Sequence, residues 1–600
     1  MKDKKIERIG GRVEREMLPF VRRPARYIGG EINQIRKDLD ACELTFALCF
    51  PDVYEVGMSN TGLAVLYHIL NGIDGVAAER VFSPWTDAEQ ILRRKDIPLF
   101  SLESRATLRS FDVIGFGLTN ELCYTNVLNA LDLAGLAVRR TDRTEADPLV
   151  VAGGGMANCA EPMAEFVDLF VIGEAEEAVV ELTDLLRTAR RTGQTKQSVL
   201  REAARRFEWA YVPQFYDFEY DDSQIVAMKA CETNLRVRFH NAVVQDFENA
   251  PVPVRPVVPF AEAVHERVSV EIMRGCPGRC RFCQASYCRR PIRFRSAEKV
   301  LELAKASQEA TGFDTVSLLS LSTADYPYLE DLVARLQSYF EQRHVGLSIP
   351  SLRVDQQLKL VPKLFTSVRK SGLTIAVEAA GERLRQVINK PLKDRDLFAA
   401  VEEAYRAGWQ RIKLYFMVGL PGETEEDVRT IVDLTYRLAK LRKEVDGKTG
   451  SITAAVSWFV PKPHTPFAWM PQRSREYFEQ ARQMIIDEKM RRRARFLQFK
   501  FHDIHQSILE AAIGRGDRRY ANVIESAWRR GARFDLWNDC FDRLIWREAF
   551  AEHGFDLEAA AERAYAPDDI LPWDHLGGPD KAYLLTHHAS AREAPPAAAD

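Results

Sequence analysis

Long apolar segments are missing from this sequence of 600 residues. No run approaches the roughly 20 apolar residues that a membrane-spanning helix needs. The first eight residues, Met-Lys-Asp-Lys-Lys-Ile-Glu-Arg, also lack the apolar stretch of a signal peptide. We therefore expect a cytoplasmic protein without a membrane partner.

The sequence also lacks a large net charge and internal repeats. The sequence has 83 Lys and Arg against 86 Asp and Glu, a net charge of -3, so the whole chain exerts no bulk attraction on nucleic acid. Its composition, 46% hydrophobic and 28% charged, is typical of a soluble globular protein. The length predicts roughly four domains.

Disulfides are not expected in a reducing compartment, although the sequence has ten cysteines. Six of them are scattered and are expected to be small buried apolar residues: Cys42, Cys49, Cys123, Cys159, Cys231 and Cys540. The other four, Cys276, Cys280, Cys283 and Cys288, lie within thirteen positions. This density indicates a chemical role.

Short apolar runs alternate with helical patterns after an N-terminal extension, residues 1–39. In residues 40–193 the predicted strands are Leu44–Phe50, Phe111–Gly117, Leu149–Ala152 and Leu169–Ile172. This order predicts a Rossmann-like, doubly wound sheet. Such sheets bind ligands at the carboxyl ends of their strands.

A connector with a proline-rich linker is expected in residues 194–264, and a second alternating region in residues 265–475. Its six predicted strands are Val268–Met273, Thr315–Leu321, Val345–Ile349, Leu373–Glu378, Arg411–Val418 and Ile452–Phe459. Six βα units predict a partial (β/α)6 relative of the TIM barrel. Residues 476–590 are expected to be helical and residues 591–600 a flexible tail. The predicted fold class is thus α/β with a helical C-terminal region.

Cys276, Cys280 and Cys283 form a CxxxCxxC pattern directly after the first predicted barrel strand. Three thiolates from one loop can hold three irons of a cubane and leave the fourth iron open. A zinc site is the alternative, with Cys288 as the fourth ligand. No second CxxC pair or local histidine follows, so the pattern favours a cluster.

The spacing Cys276-x3-Cys280-x-Phe282-Cys283 resembles the radical S-adenosylmethionine (SAM) motif, including the aromatic residue before the third cysteine. The resemblance implies a 4Fe-4S cluster whose open iron chelates SAM. Electron transfer from the cluster would then cleave SAM to a 5′-deoxyadenosyl radical.

Further segments resemble SAM-contacting parts of such barrels. The run around Met417 and Gly419 is similar to the fifth strand, and the run around Glu378 to the fourth. Glu378 is a polar candidate for SAM or, alternatively, a buried paired carboxylate. Pro461 belongs to the segment that ends strand six, in which His464 is a local cap or a catalytic group. The usual GGE-like turn after strand two is absent, and residues 320–325 occupy its place.

The order of the two domains resembles radical SAM proteins with a cobalamin-binding-type domain. Two segments resemble its binding loops and contain Gly153, Gly154, Gly173 and Glu174. In the first loop, Asp52-Val53-Tyr54-Glu55-Val56-Gly57 stands where cobalamin proteins with an axial histidine have DxHxxG. The resemblance implies cobalamin contacts at Tyr54 and Gly57 and a cobalt without protein imidazole. A degenerate domain without corrin is the alternative.

Basic residues interleave with aromatic ones in the C-terminal region, for example around Arg491 and Arg518. This pattern is compatible with RNA binding. It is also typical of the solvated face of amphipathic helices, which is the favoured interpretation.

The sequence therefore predicts a radical SAM enzyme that cleaves SAM reductively, with cobalamin as a candidate second cofactor for methyl transfer to an unactivated carbon. A flavodoxin or ferredoxin is the expected reducing partner. One alternative is a cobalamin-independent, methylthiotransferase-like modifier of tRNA or ribosomal protein. The other is a non-catalytic iron–sulfur binding module. The catalytic residues and the substrate are not identified by the sequence.

Overall fold

The computed structural model describes residues 5–222, 224–349 and 373–592. The first sheet has six strands: β1 Leu44–Phe50, β2 Val76–Phe82, β3 Val113–Gly117, β4 Leu149–Gly153, β5 Leu169–Val171 and β6 Ala210–Tyr211. They lie in the order β2-β1-β3-β4-β5-β6. All neighbours are parallel except β6, which runs antiparallel to β5.

Helices cover this sheet, as expected for strands that are buried on both faces. Every residue of β1 and β2 is buried. The helices of this part are Tyr54–Gly57, Thr61–Gly72, Thr86–Lys95, Tyr124–Leu133, Glu176–Thr192 and Lys196–Arg206, preceded by the short turns Gly10–Arg12, Val13–Met17 and Leu18–Phe20. The strand order reverses at the β1/β3 boundary, where doubly wound sheets bind their ligands.

A hairpin, β7 Tyr216–Asp221 with β8 Gln224–Ala230, lies in the predicted connector. The barrel region then contributes β9 Val268–Glu271, β10 Met273–Arg274, β11 Arg293–Phe294, β12 Thr315–Leu319, β13 Gly346–Ser348, β14 Leu373–Glu378, β15 Arg411–Val418, β16 Ser451–Trp458 and β17 Leu497–Phe501. Strands β13-β12-β9 form one parallel sheet, and β14-β15-β16-β17 form another.

The predicted fold class is confirmed, and the structure adds strands that the sequence did not predict. All six predicted barrel strands are present, and β17 is a seventh parallel strand in the region that was expected to be helical. In the first sheet, β2 and β6 were not predicted.

Helices flank the barrel strands and make up most of the C-terminal region: Gln284–Cys288, Ala297–Thr311, Leu329–Phe340, Glu382–Val387, Asp394–Arg406, Glu425–Asp446, Arg475–Arg491, Ile504–Gly514, Tyr520–Arg529, Arg543–Glu552, Leu557–Ala561 and Lys581–Arg592. Most of the predicted tail, 591–600, lies outside the described residues. In the described part of the chain, no helix is both long enough and apolar enough to span a bilayer. One continuous apolar core includes side chains from the first sheet, the barrel and the C-terminal helices.

Candidate functional site

The cysteine loop, residues 275–292, is closed at its base by the antiparallel pair β10 and β11. Gly275 begins the loop at φ +88°, a conformation that favours glycine. A Cβ atom there would lie 2.7 Å from the carbonyl oxygen of Arg289. A larger residue at this position would therefore push the two ends of the loop apart.

Arginine side chains fix the backbone of the cysteine loop. Arg290 Nη2 donates to the carbonyl oxygens of Cys276 at 3.1 Å and Gly278 at 3.3 Å. Arg281 Nη1 donates to the carbonyl oxygens of Gln386, at 3.0 Å, and Val387, at 2.6 Å, in the segment that follows β14. The loop is thus held from within by one guanidinium group and anchored to the opposite half-barrel by another.

The cysteine loop contains four thiols. Cys276, Cys280, Cys283 and Cys288 are all half-buried residues. Burial raises the pKa of the Cys288 thiol to about 12, so the free thiol is protonated near pH 7. In the described ranges, no group of three or more His, Cys, Asp or Glu side chains is arranged to hold a metal ion. The chemistry of the donor set, three half-buried thiols on one anchored loop, fits a cluster with an open iron better than four-ligand zinc.

An apolar cluster lies beside the cysteine loop and brings two predicted SAM-contacting residues together. Phe282 and Met417 both pack against a buried cluster that includes Leu420, Phe459 and Phe467. Pro461 follows this cluster in the chain and is buried. These predicted residues therefore lie in one region of the barrel mouth.

The turn after β15 contains Gly419, whose backbone N–H donates to Glu423 Oε1 at 2.6 Å. The hydroxyl of Tyr477 donates to the same oxygen at 2.6 Å. Burial raises the pKa of Glu423 to about 7, against the opposing effect of these two hydrogen bonds. A buried carboxyl group thus fixes the turn at the predicted Gly419 contact.

Glu378 is the last residue of β14 and has φ +68° at a register shift against β15. Its Oε1 lies 3.0 Å from Nζ of Lys390. Of the two sequence interpretations, the structure shows the paired carboxylate, and it places that pair at the barrel mouth.

His464 joins the barrel to the first domain. It is buried, and its Nε2 lies 2.8 Å from the carbonyl oxygen of Asn158. Burial lowers the pKa of His464 to about 4, so the ring is neutral near pH 7. Two residues earlier, Lys462 Nζ lies 2.8 Å from Glu121 Oε1 and 2.6 Å from Glu510 Oε1. The segment after β16 thus contacts the first domain through His464 and Lys462.

An interdomain cavity of about 490 Å³ lies at the carboxyl ends of β1, β3, β4 and β5. Mostly apolar residues of the sheet and of the helices Thr61–Gly72 and Glu176–Thr192 line it. The predicted residues Gly153, Gly154, Gly173 and Glu174 belong to this lining, as do Met273, Gly275, Arg289, Ser320 and Leu321 of the barrel. The cavity therefore extends from the first sheet to the cysteine loop.

Tyr54 and Gly57 lie outside this lining, which corrects the predicted cofactor contacts in the first loop. The Tyr54 hydroxyl donates to Glu31 Oε1 at 3.1 Å and accepts from the backbone N–H of Phe260 at 3.2 Å. Gly57 abuts the ring of Phe82 so closely that a Cβ atom would lie 2.2 Å from it. Tyr54 belongs to an apolar cluster with Phe50, Phe82 and Leu102.

Glu174 links the first domain to the base of the cysteine loop. Its Oε1 lies 2.5 Å from Nη2 of Arg293, and its Oε2 lies 3.3 Å from Nη1 of Arg274. The backbone N–H of Val244 donates to Oε2 at 2.7 Å. Burial acts to raise the pKa of Glu174, but the two arginines and this N–H hold it below its usual value. Glu174 therefore fixes the cavity relative to β10 and β11.

The basic residues of the C-terminal region pair within the protein. Arg518 Nε lies 3.0 Å from the buried Glu161, which also contacts His575 Nε2 at 3.1 Å. Burial acts to raise the pKa of Glu161, but Arg518 and His575 hold it at about 2. Arg491 and Arg492 pair with Glu488. This pairing supports the favoured interpretation as structural residues.

Sequence reasoning missed the arginines that hold the loop and the pairs of Glu161 and Lys462. Their partners are 100 or more residues away in several cases, as in Glu161 and Arg518, so no local pattern revealed them. The run Leu571-Pro572-Trp573-Asp574-His575 contributes two of these long-range contacts. His575 pairs with Glu161. Trp573 packs in a cluster with Tyr287, in the helix that follows the cysteines.

Comparison with curated proteins finds several relatives. An uncharacterized protein of Methanocaldococcus jannaschii is 27% identical over 469 residues, which cover 76% of this chain and 91% of that protein. The ribosomal protein uS12 methylthiotransferase RimO of Desulfotalea psychrophila is 31% identical over 205 residues. That match covers 32% of this chain and 44% of the enzyme.

Among solved structures, the radical SAM methyltransferase TsrM of Kitasatospora setae is similar with a TM-score of 0.43 and 16% identity, covering 69% of this chain and 73% of that one. The cobalamin-dependent SAM radical enzyme OxsB is similar with a TM-score of 0.49 and 13% identity, covering 81% and 66%.

Two family models match the sequence. The model described as "Radical SAM proteins, N-terminal" matches residues 62–213, most of the first sheet. The model described as "Radical SAM superfamily" matches residues 270–435, which contain the cysteine loop and strands β9 to β15. Proteins of this superfamily bind a 4Fe-4S cluster and SAM. The chain therefore belongs to the radical SAM superfamily of enzymes, with a Rossmann-like N-terminal domain before its radical SAM domain.

Proposed function

We propose that Cys276, Cys280 and Cys283 hold the 4Fe-4S cluster and that the protein cleaves SAM reductively at the mouth of the barrel. When bound, the cluster supplies the electron for this cleavage. A flavodoxin or ferredoxin would deliver that electron to the cluster. The proposal is supported by the donor set, by the anchoring of its loop and by the match of the radical SAM sequence model.

The protein's own residues would position the cluster and shield SAM. Arg290 and Arg281 hold the loop carbonyls, so the three thiols start from a fixed backbone. Phe282 and Met417 cover one side of the site with apolar surface, which excludes water from a reactive intermediate. The Glu378–Lys390 pair offers a carboxylate and an ammonium group at the end of β14, where polar groups of SAM would be bound.

We further propose that the interdomain cavity binds cobalamin and that the enzyme transfers a methyl group to an unactivated carbon. One observation carries this proposal: a single cavity is lined both by the carboxyl ends of the first sheet and by Gly275 of the cysteine loop. Gly115, Gly117 and Gly153 present no side chains to it, which leaves an apolar slot for a flat ring system. A cofactor there would lie next to the cluster.

The lining also indicates how the cobalt would be coordinated. The described residues that line the cavity include no histidine. Tyr54, which stands at the position of the axial histidine in the motif, is hydrogen-bonded to Glu31 instead. We therefore expect cobalamin to bind without an imidazole from this chain.

Anaerobic reconstitution with iron and sulfide tests the first proposal. After reduction in the presence of SAM, the wild-type protein and Cys231→Ala, an exposed cysteine outside the loop, should produce 5′-deoxyadenosine. The absence of this product, or its persistence in Cys280→Ala, would contradict the proposed site.

Titration with hydroxocobalamin tests the cavity, and an unchanged absorbance spectrum would remove cobalamin from the proposal. Labelled SAM then identifies the reaction. A label recovered in small molecules or at unactivated carbons of a polymer supports methyl transfer. A methylthio product in ribosomal protein or tRNA would instead support a role similar to that of RimO.

A further inference from the structure

A polar strip lies on one face of the second half-barrel. Along β15, Ile412, Leu414, Phe416 and Val418 are buried in the main core, beneath the helices that flank the sheet. Lys413, Tyr415 and Met417 alternate with them and point to the opposite face, because successive side chains of a strand alternate. Met417 packs in the same cluster as Phe282. This face therefore leads from the barrel interior to the cysteine loop.

The neighbours of Tyr415 in register are small. Ala376 of β14 and Ala455 of β16 flank it directly. On the far side of Ala455, β17 places Lys500 in the same row. Neighbouring strands lie roughly 4.8 Å apart, so Tyr415 and Lys500 stand about 10 Å from each other across the alanine. The two alanines leave part of the tyrosine ring open, and 36% of the surface of Tyr415 is exposed.

We call Lys413, Tyr415 and Lys500 the lumen strip, and its two lysines carry positive charge. Lys413 Nζ lies 4.7 Å from the centre of the Tyr415 ring. Within the described residues, neither lysine forms a salt bridge. Two carboxylates of the described barrel strands are already paired, Glu271 with Arg274 and Glu378 with Lys390.

This arrangement matches a ligand with two parts. A concave region with two cations attracts and concentrates anions. A partly open tyrosine ring beside small residues accommodates a flat apolar group. A neutral ligand would leave both ammonium groups to water alone, whereas an oxyanion can accept hydrogen bonds from them.

We propose that the lumen strip binds the substrate of the radical reaction and that this substrate carries a carboxylate or phosphate group next to a flat apolar part. The proposal rests on the proposed function, because it assumes that the chemistry takes place at the mouth of this barrel. It names the chemical class of the substrate and gives Lys413, Lys500 and Tyr415 the role of binding residues.

Binding to the full-length protein tests the proposal with simple probes. Isothermal titration calorimetry would compare 4-phenylbutyrate, phenyl phosphate and the neutral 4-phenylbutanol. We expect the wild type to bind at least one of the two anions, and to bind it more tightly than the alcohol. The ratio of the two anion affinities then distinguishes a carboxylate site from a phosphate site.

Charge removal gives the matched comparison. Each of Lys413→Gln and Lys500→Gln should weaken anion binding about tenfold, the effect of losing one charge-assisted hydrogen bond. Lys448→Gln, at an exposed lysine outside the strip, should bind as the wild type does. Tyr415→Ala, which keeps both charges, should weaken both the anions and the alcohol.

Two outcomes would overturn the proposal: neither anion binds the wild type, or the double variant Lys413→Gln/Lys500→Gln binds them equally well. Thermal unfolding of each variant identifies a loss of binding that follows from misfolding. The yield of 5′-deoxyadenosine is measured on the wild type alone. The absence of 5′-deoxyadenosine would reject the proposed function. The anion-binding measurements would still test the lumen strip, because they do not depend on SAM cleavage.

Discussion

Two recesses reach the cysteine loop, and their linings differ in chemistry. The interdomain cavity is lined mainly by apolar strand residues and by glycines, among them Gly115 and Gly153. The lumen strip instead presents Lys413, Tyr415 and Lys500 between small neighbours. The first suits a large, mostly apolar ring system, and the second suits a small anion with a flat part.

The difference teaches how a single loop can serve two ligands. Glu174 binds both arginines at the base of the loop, so the cavity is fixed to the loop by ion pairs. Phe282 and Met417 connect the loop to the lumen strip through apolar packing. Charged contacts therefore position one recess, and apolar contacts position the other.

The largest effect is expected from a substitution in the cysteine loop, which both recesses share. Cys280→Ala should lower 5′-deoxyadenosine formation by at least about 1,000-fold, because two thiolates cannot hold a cluster that needs three. Iron content and the yield of 5′-deoxyadenosine after reconstitution measure it. Cys231→Ala is the control, and a comparable loss in that variant would show that the effect is not specific to the loop.

The second-largest effect is expected when the ion pairs of Glu174 with the base of the cysteine loop are broken. Glu174→Gln removes the carboxylate that pairs with the part-buried Arg293, whereas Arg274 keeps its ion pairs with Glu176 and Glu271. Loss of one partner from a buried ion pair costs about 3 kcal/mol. Urea unfolding followed by tryptophan fluorescence should show an earlier first transition. Glu202→Gln, at an exposed glutamate of helix Lys196–Arg206, should leave it in place, and equal midpoints for both variants would contradict the role of Glu174.

A side chain that fills the interdomain cavity tests whether the two recesses bind their ligands independently. The Cβ of a residue at Gly115 would meet Leu48 Cδ2 at 3.6 Å, an ordinary contact. The methyl groups of Gly115→Val would then occupy the slot and should weaken hydroxocobalamin binding about 30-fold, or about 2 kcal/mol. Binding of 4-phenylbutyrate should not change. Gly72→Ala, whose Cβ meets nothing within 4 Å, is the control. Equal losses of both ligands would show that the recesses are not independent.

Strands β1 and β2 differ in how well the sequence predicts them, although they pair side by side in the first sheet. β1 reads Leu-Thr-Phe-Ala-Leu-Cys-Phe, and the structure has it at the predicted bounds. β2 contains Glu79 and Arg80, yet it is buried throughout. Arg80 pairs with Glu31 and Glu103, which lie far along the chain. Only those tertiary contacts make a charged strand stable in a core.

The same distinction applies to the site. The cysteine spacing is local, so the sequence identified the loop. The face of the first domain that contacts the cysteine loop is set by contacts between distant residues. The hydrogen bond from Tyr54 to Glu31 is an example. The sequence therefore placed Tyr54 among the cofactor contacts, although its hydroxyl was already engaged. The lumen strip could not be predicted because it depends on β17, which lies in an Arg-rich stretch that resembled helix.

The smallest effect concerns the turn after β15, between the apolar cluster and the lumen strip. Burial raises the pKa of Glu423 to about 7, with Asp427 acting in the same direction and Tyr477 against it. Between pH 4.5 and 7 the folded protein keeps a proton that the unfolded chain has released. Its stability should therefore fall as pH rises through this window, by at most about 1.4 kcal/mol per pH unit.

Glu423→Gln tests this coupling, because glutamine cannot titrate but can still accept from Gly419 and Tyr477. The pH dependence of the urea midpoint between pH 5 and 7 should become flatter in this variant than in the wild type. Glu425→Gln, at an exposed glutamate of helix Glu425–Asp446, should keep the wild-type slope. An unchanged slope in Glu423→Gln would mean that Glu423 is ionised in the folded protein throughout the window. The turn would then carry a constant negative charge near the barrel mouth, and anion binding to the lumen strip would not change through Glu423 as pH rises.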